Sequence, residues 1–241
     1  MPFVAASPKD RLILALDVPS VAEAERIVEE TRAEAGVYKI GYRLVFAGGL
    51  ALAEKLVAAG EKVFLDVKLL DIDNTIAEGI ESILALGVDW VTLHAYPKAM
   101  RAAVAVRDRA PQCRTKLLGV TVLTSMDDGD LAAAGYAGNV GDLVLARAKD
   151  AVAAGMDGIV CSPAEAARLR AAVGADLALV TPGVRPKGAE AGDQKRIMTP
   201  GDAIRAGSDL LVVGRPILAA SDRCSAARAI VAEIAEATAG R

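Results

Sequence analysis

Histidine is almost missing from this chain: among 241 residues there is one, His94. That scarcity argues against a zinc site built on imidazoles. Cysteine is nearly as scarce. Cys113, Cys161 and Cys224 stand far apart without CxxC spacing, so they suggest neither a thiolate metal site nor a disulfide framework, and they read as reduced packing thiols. No apolar run approaches the roughly 18 to 20 residues of a membrane span. The opening MPFVAASPKDR also lacks a basic segment followed by a sustained apolar one, and a cytoplasmic protein is the expectation. Excess positive charge is absent as well. A formal net charge of −3 and a pI near 5.4 give no general attraction to nucleic acid or to an anionic membrane, which leaves a small polar ligand as the better fit. Ser162 has no GxSxG context, so a serine nucleophile is not expected there.

What the chain has in quantity is apolar surface. Hydrophobic residues make up 53% and charged residues 24%, enough for a large core and contrary to disorder. Short β-branched or Leu-rich runs alternate with Ala-rich stretches of helical spacing. LILALDV, VYKIG, KVFLDVK, WVTLHA, KLLGVTVL, GIVCS, LALVTPG and LLVVGRPI are the expected strands. An internal echo runs through GVDWVTL, GMDGIVC and GSDLLVV, each with a helix-ending Gly, one residue, an Asp and then a strand. About eight β-then-α units in this length predict a (β/α)8 TIM barrel spanning residues 1–241 as a single α/β domain, with a doubly wound open sheet as the alternative.

The stretch FLDVKLLDIDNT, Phe64 to Thr75, places Asp66, Lys68 and Asp71 where a core strand should be ending. In a regular strand Asp66 and Lys68 point to one side and Leu65 and Val67 to the other. Both charges then face one space at the C-terminal rim, where barrel enzymes carry their sites. A structural ion pair, with Asp71 or Asp73 capping the next helix, is the plainer reading of such a pair. Other strand ends weigh against it: Asp17, Lys39, Thr124 and Arg215 bring polar groups from four further strands to the same rim.

FLDVKLLDIDNT resembles the signature of orotidine 5′-phosphate decarboxylases. The likeness continues through LALDVP, YKIGY, LGVTVLTSM, IVCSPAEA, VTPGVRP, GDQKRIMTP and VVGRPI, from about Leu12 to Ile217. Three departures stand out. Asp73 replaces a frequent Pro, YPKAM follows the His-Ala pair where glycines are frequent, and Leu218 replaces a common Thr.

The resemblance implies conversion of orotidine 5′-phosphate to uridine 5′-phosphate, closing pyrimidine nucleotide synthesis with neither metal nor organic cofactor. Lys68 is implied as proton donor, in an alternating array with Asp66, Asp71 and Lys39. Asp17, Lys39 and Thr75 are implied at the ribose and Thr124 at the base. Gln194, Gly214 and Arg215 are implied at the phosphate, with Arg185 in the same neighbourhood. The resemblance further implies a homodimer with shared active sites, in which Asp71 and Thr75 serve the partner. The long polar connection from Pro182 to Pro200 reads as a lid. Two other readings stay open: a metal-dependent sugar-phosphate decarboxylase or synthase of the same barrel superfamily, and a non-catalytic nucleotide-phosphate sensor.

Overall fold

The computed structural model describes residues 4–186 and 198–239. Eight parallel strands close into a barrel in chain order: β1 (Leu12–Ala15), β2 (Val37–Gly41), β3 (Val63–Leu69), β4 (Trp90–His94), β5 (Lys116–Val120), β6 (Gly158–Val160), β7 (Ala178–Thr181) and β8 (Leu210–Val213). The barrel expectation is met, and β1 pairing with β8 rules out the open sheet. GRPI does not extend the last strand; Arg215–Leu218 is a short helix instead, with Pro216 in its first turn.

The helices follow from their spacing. Val21–Thr31 starts at Ser20, whose hydroxyl accepts from the Glu23 N–H, and it buries Ala24, Ile27, Val28 and Thr31 on one face. Asp73–Leu86 buries Ile76, Ile80, Ile83 and Leu84 in the same manner. Neither Asp71 nor Asp73 caps that helix through a side-chain hydrogen bond, contrary to the plainer sequence reading; Ile72 holds the cap position and Asp73 lies in the first turn.

Alternation divides the barrel strands into two sets. Ile13, Ala15, Val37, Phe64, Trp90, Leu118, Val180, Leu210 and Val212 fill the interior, while their neighbours pack against the helices. Trp90 opens its strand and fills the lower interior, as its position in the sequence suggests.

The internal echo is a strap at the N-terminal end of the barrel. Gly87, Gly155 and Gly207 end their helices at φ of 73°, 80° and 115°, a region that side-chain-bearing residues avoid. Two residues later, Asp89, Asp157 and Asp209 each bracket one residue of the preceding strand. Their carboxylates accept from the N–H groups of Val63, Leu117 and Leu179, each at 2.9 Å. Their own N–H groups donate to the carbonyls of those same residues. Arg107 and Arg170 hold the carboxylates of Asp157 and Asp209 in turn.

Replacing Asp157 by Ala strands the Leu117 N–H and takes from Arg107 one of its two carboxylate partners, leaving Asp108. Loss of a charged acceptor of this kind costs about 2 kcal/mol, so thermal unfolding of Asp157→Ala is expected roughly 4–8 °C below the parent. A melting temperature within a degree of the parent would refute the strap.

Candidate active site

The C-terminal rim encloses a cleft of about 690 Å³. Strand register brings its charges together. Ala15 of β1 is paired with Lys39 of β2, and Gly41 of β2 with Asp66 of β3, so Asp17, Lys39 and Asp66 emerge side by side. Lys39 Nζ lies 3.0 Å from Asp17 Oδ1 and 3.5 Å from Asp66 Oδ2. Lys68 Nζ lies 2.8 Å from Asp66 Oδ1. A Cβ on Gly41 would approach Lys39 Nζ to 3.0 Å and Asp17 Oδ1 to 3.3 Å; the bare glycine leaves room for the pair.

The result is a chain of alternating charge, Asp17–Lys39–Asp66–Lys68. Its members differ in exposure: the Lys39 side chain is 8% exposed and Asp66 14%, against 26% for Lys68 and 53% for Asp17. Lys68 therefore has an open side toward the cleft, while Lys39 and Asp66 are fixed behind it. Burial alone would raise the Asp66 carboxyl, but the ammonium groups of Lys39 and Lys68 outweigh it, helped by hydrogen bonds from Lys68 and Thr92. Asp66 is held below the ordinary carboxylate range and is ionised at neutral pH.

Lys68 reaches this place by a route that regular alternation does not describe. The pairing of β3 with β4 shifts register between Leu65 and Leu69, and Lys68 sits at φ 43°, the one non-glycine residue with positive φ among those described. A left-handed conformation at such a residue costs on the order of 1–3 kcal/mol and persists only where the surroundings enforce it. Thr92 is one enforcer. Its hydroxyl accepts from the Lys68 N–H at 2.9 Å and donates to Asp66 Oδ1 at 2.9 Å.

Most sequence-expected residues line this cleft: Asp17, Lys39, Asp66, Lys68, Thr124, Arg185, Gly214 and Arg215. Asp71 and Thr75 do not; both are exposed beyond the strand, and Asp71 Oδ1 accepts from the Ile72 N–H at 2.7 Å. Within one chain the alternating array is thus completed by Asp17 rather than by Asp71. Gln194 and most of the Pro182–Pro200 connection lie outside the described residues. Chemically the cleft has three walls. Charged groups at the ends of β1, β2 and β3 form one, Val120, Val122, Leu123 and Val160 an apolar second, and Arg185 after β7 with Arg215 at the start of the short helix after β8 a cationic third.

Thr92, Tyr42, Arg43 and Ser125 were not singled out in the sequence. Thr92 was accessible in principle, because it alternates with Trp90 and His94 on the inner face of β4. His94 itself is half-buried and edge-on to Tyr96, with ring centroids 6.5 Å apart. Burial, then the nearby Arg147 and Lys68, lower its pKa against the pull of Asp66, so it is neutral at pH 7. Ser162 is buried and caps a helical turn, accepting from the Ala164 N–H.

The atypical YPKAM segment acquires partners. Tyr96 hydrogen-bonds Tyr136, and the Arg147 guanidinium lies over both rings at 5.0 and 5.4 Å while donating to the Thr121 carbonyl. Lys98 pairs with Asp73 at 3.1 Å, so two departures from the family pattern contact each other.

Comparison with known proteins identifies the family and fold. Residues 10–230 match the family model described as orotidine 5′-phosphate decarboxylase / HUMPS family. An orotidine 5′-phosphate decarboxylase of Rhodopseudomonas palustris (strain BisB5) is 61% identical over 230 residues, covering 95% of this chain and 97% of that protein. One from Methylobacterium sp. (strain 4-46) is 59% identical over 231 residues, covering 96% and 98%. The crystal structure of orotidine 5′-phosphate decarboxylase from Lactobacillus acidophilus superposes with a TM-score of 0.81 at 34% identity, covering 92% of this chain and 98% of that one. This chain belongs to the orotidine 5′-phosphate decarboxylase / HUMPS family.

Proposed function

We propose that this protein decarboxylates orotidine 5′-phosphate to uridine 5′-phosphate and CO2 in the last step of pyrimidine nucleotide synthesis. It works without metal or organic cofactor, as one catalytic domain, in the cytoplasm. The observation that carries this reading is the Asp17–Lys39–Asp66–Lys68 array at the mouth of a nucleotide-sized cleft.

Breaking the C6–carboxylate bond releases CO2 and leaves its electron pair in the plane of the pyrimidine ring, where π delocalisation cannot spread it. A fixed cation beside C6 lowers the energy of that localised charge. Lys68 is this cation, and it donates the proton that fills C6. Its neutral amine is then reprotonated from solvent. Asp66 holds Lys68 in place, Lys39 fixes Asp66 from the other side, and Asp66 faces the substrate carboxylate. Asp17 and Lys39 bind the ribose, Thr124 the base, and Arg185, Gln194, Gly214 and Arg215 the phosphate. Arginine suits the last task because its planar fork matches phosphate oxygens.

A metal-dependent sugar-phosphate reaction is disfavoured by the donor set. Lys39 Nζ occupies the space between the carboxylates of Asp17 and Asp66 that a divalent cation would need. A passive nucleotide sensor is disfavoured by the cost of holding four charges together when binding alone does not need them. The deciding experiment follows uridine 5′-phosphate formation by the purified protein in excess chelator. Full activity is expected; loss of activity on chelation, restored by a divalent metal, would favour the sugar-phosphate reading.

Lys68→Ala is expected to retain less than about 1% of turnover while uridine 5′-phosphate still binds, since the ribose and phosphate contacts remain. Substantial residual turnover would remove Lys68 from the proton-donor role.

The protein also acts as a homodimer with shared sites, in which Asp71 and Thr75 complete the partner's cleft. Their exposure beyond the rim supports this reading, as do the exposed apolar neighbours Leu70 and Ile72. Lys68→Ala and Asp71→Ala proteins are each expected to be nearly inactive. Once subunits exchange, about half the dimers are mixed with one intact site in two, so about a quarter of parental activity returns. No recovery after confirmed exchange would mean that Asp71 serves its own barrel.

A further inference from the structure

We propose that Tyr42 is a positioning residue for Lys68, an inference that rests on Lys68 being the proton donor. The Val67–Lys68 peptide lies past the last β2 pairing, Gly41 with Asp66, and inside the gap in the β4 pairing between Leu65 and Leu69. Side chains hold it instead. The Thr92 hydroxyl takes the Lys68 N–H at 2.9 Å from one side, and the Tyr42 hydroxyl donates to the Val67 carbonyl at 2.8 Å from the other. Both polar groups of one peptide plane are thereby fixed. The tilt of that plane sets φ of Lys68, and φ sets the direction in which its side chain leaves the strand.

Tyr42 acts a second time at the far end of the same side chain. Its ring lies 5.7 Å from Lys68 Nζ, within the range where the negative face of an aromatic ring attracts an ammonium group. Phe46 stacks on Tyr42, with ring centroids 6.1 Å apart and an interplanar angle of 26°. Tyr42 thus holds the root of Lys68 through a hydroxyl and its tip through a ring, from a position lining the cleft. Asp66 and Thr92 grip Lys68 from within the barrel; Tyr42 is the grip from outside. Loss of aim at a reacting group of this kind reduces turnover more than binding, because only the transition state needs the proton at C6.

Two variants separate the two grips. Tyr42→Phe keeps the ring and removes the hydroxyl, whereas Tyr42→Leu removes both. For orotidine 5′-phosphate, kcat is expected to fall about threefold to tenfold in the first and about thirtyfold or more in the second. In both, KM and the affinity for uridine 5′-phosphate should stay within about twofold of the parent. Deuterium uptake at C6 of uridine 5′-phosphate in heavy water, which runs the proton transfer in reverse, should fall in step with kcat. Unchanged kcat in both variants overturns the proposal, and so does a loss of product affinity that parallels kcat. If the Leu variant does not fold, the Phe variant carries the test by the same criteria. The parent protein run alongside distinguishes the two levels. An active parent with a Leu variant of unchanged kcat removes only the role of Tyr42, whereas a parent inactive on orotidine 5′-phosphate removes the decarboxylase reading and this inference with it.

Discussion

One carboxylate organises the site. Asp66 is largely buried, and it meets Lys39 on one oxygen and Lys68 and Thr92 on the other. Burial alone would push the carboxyl toward its protonated form; the two lysines reverse that. Asp66 is kept charged by the two ammonium groups beside it, so deleting Asp66 itself would leave Lys39 and Lys68 facing each other without the carboxylate between them. The barrel makes the cluster possible because parallel register delivers three consecutive strand ends to one place. Gly41 makes it fit by leaving out the side chain that would separate Lys39 from Asp17.

The two ends of the barrel use acidic residues in opposite ways. At the N-terminal end Asp89, Asp157 and Asp209 accept backbone N–H groups and staple β4, β6 and β8 to the strands before them. They satisfy polar groups that would otherwise be stranded, and they stabilise the fold. At the C-terminal end Asp17 and Asp66 pair directly with ammonium groups at the wall of the cleft, and one of those, Lys68, has a strained backbone conformation. Stability and chemistry are separated along the barrel axis by about the length of a strand.

Much of this was legible in the sequence, for identifiable reasons. Alternating β and α runs announced the barrel because each element shows its own period, and VYKIG matches β2 residue for residue. The GxD echo was visible as a pattern, but its meaning was not, because the carboxylate's partner lies on a different strand some tens of residues away. The charged rim was legible because Asp17, Lys39, Asp66 and Lys68 fall at strand ends. The bulge at Lys68 was hidden: nothing in FLDVKLL marks a left-handed lysine, and what enforces it comes from Thr92 on β4 and Tyr42 after β2. The same holds for the helix after DIDNT, whose Asp side chains look like caps but turn to the Ile72 N–H and to Lys98.

The departures from the family pattern show where the fold is constrained and where it is free. Asp73 and Lys98 lie in the first turns of the helices that follow β3 and β4, and they form one ion pair between those helix starts. Tyr96 is larger than the residues common at its position. Its hydroxyl bonds Tyr136, its ring lies under Arg147, and Arg147 reaches the Thr121 carbonyl at the start of the loop carrying Thr124. Both changes therefore join adjacent loops to each other without touching the four-charge array. Lys68 is held on several sides at once, by Asp66 at its ammonium group and by Thr92 at its backbone N–H. The loops around it can vary freely provided that every new charge or hydroxyl finds a mate in the neighbouring loop, and here each does.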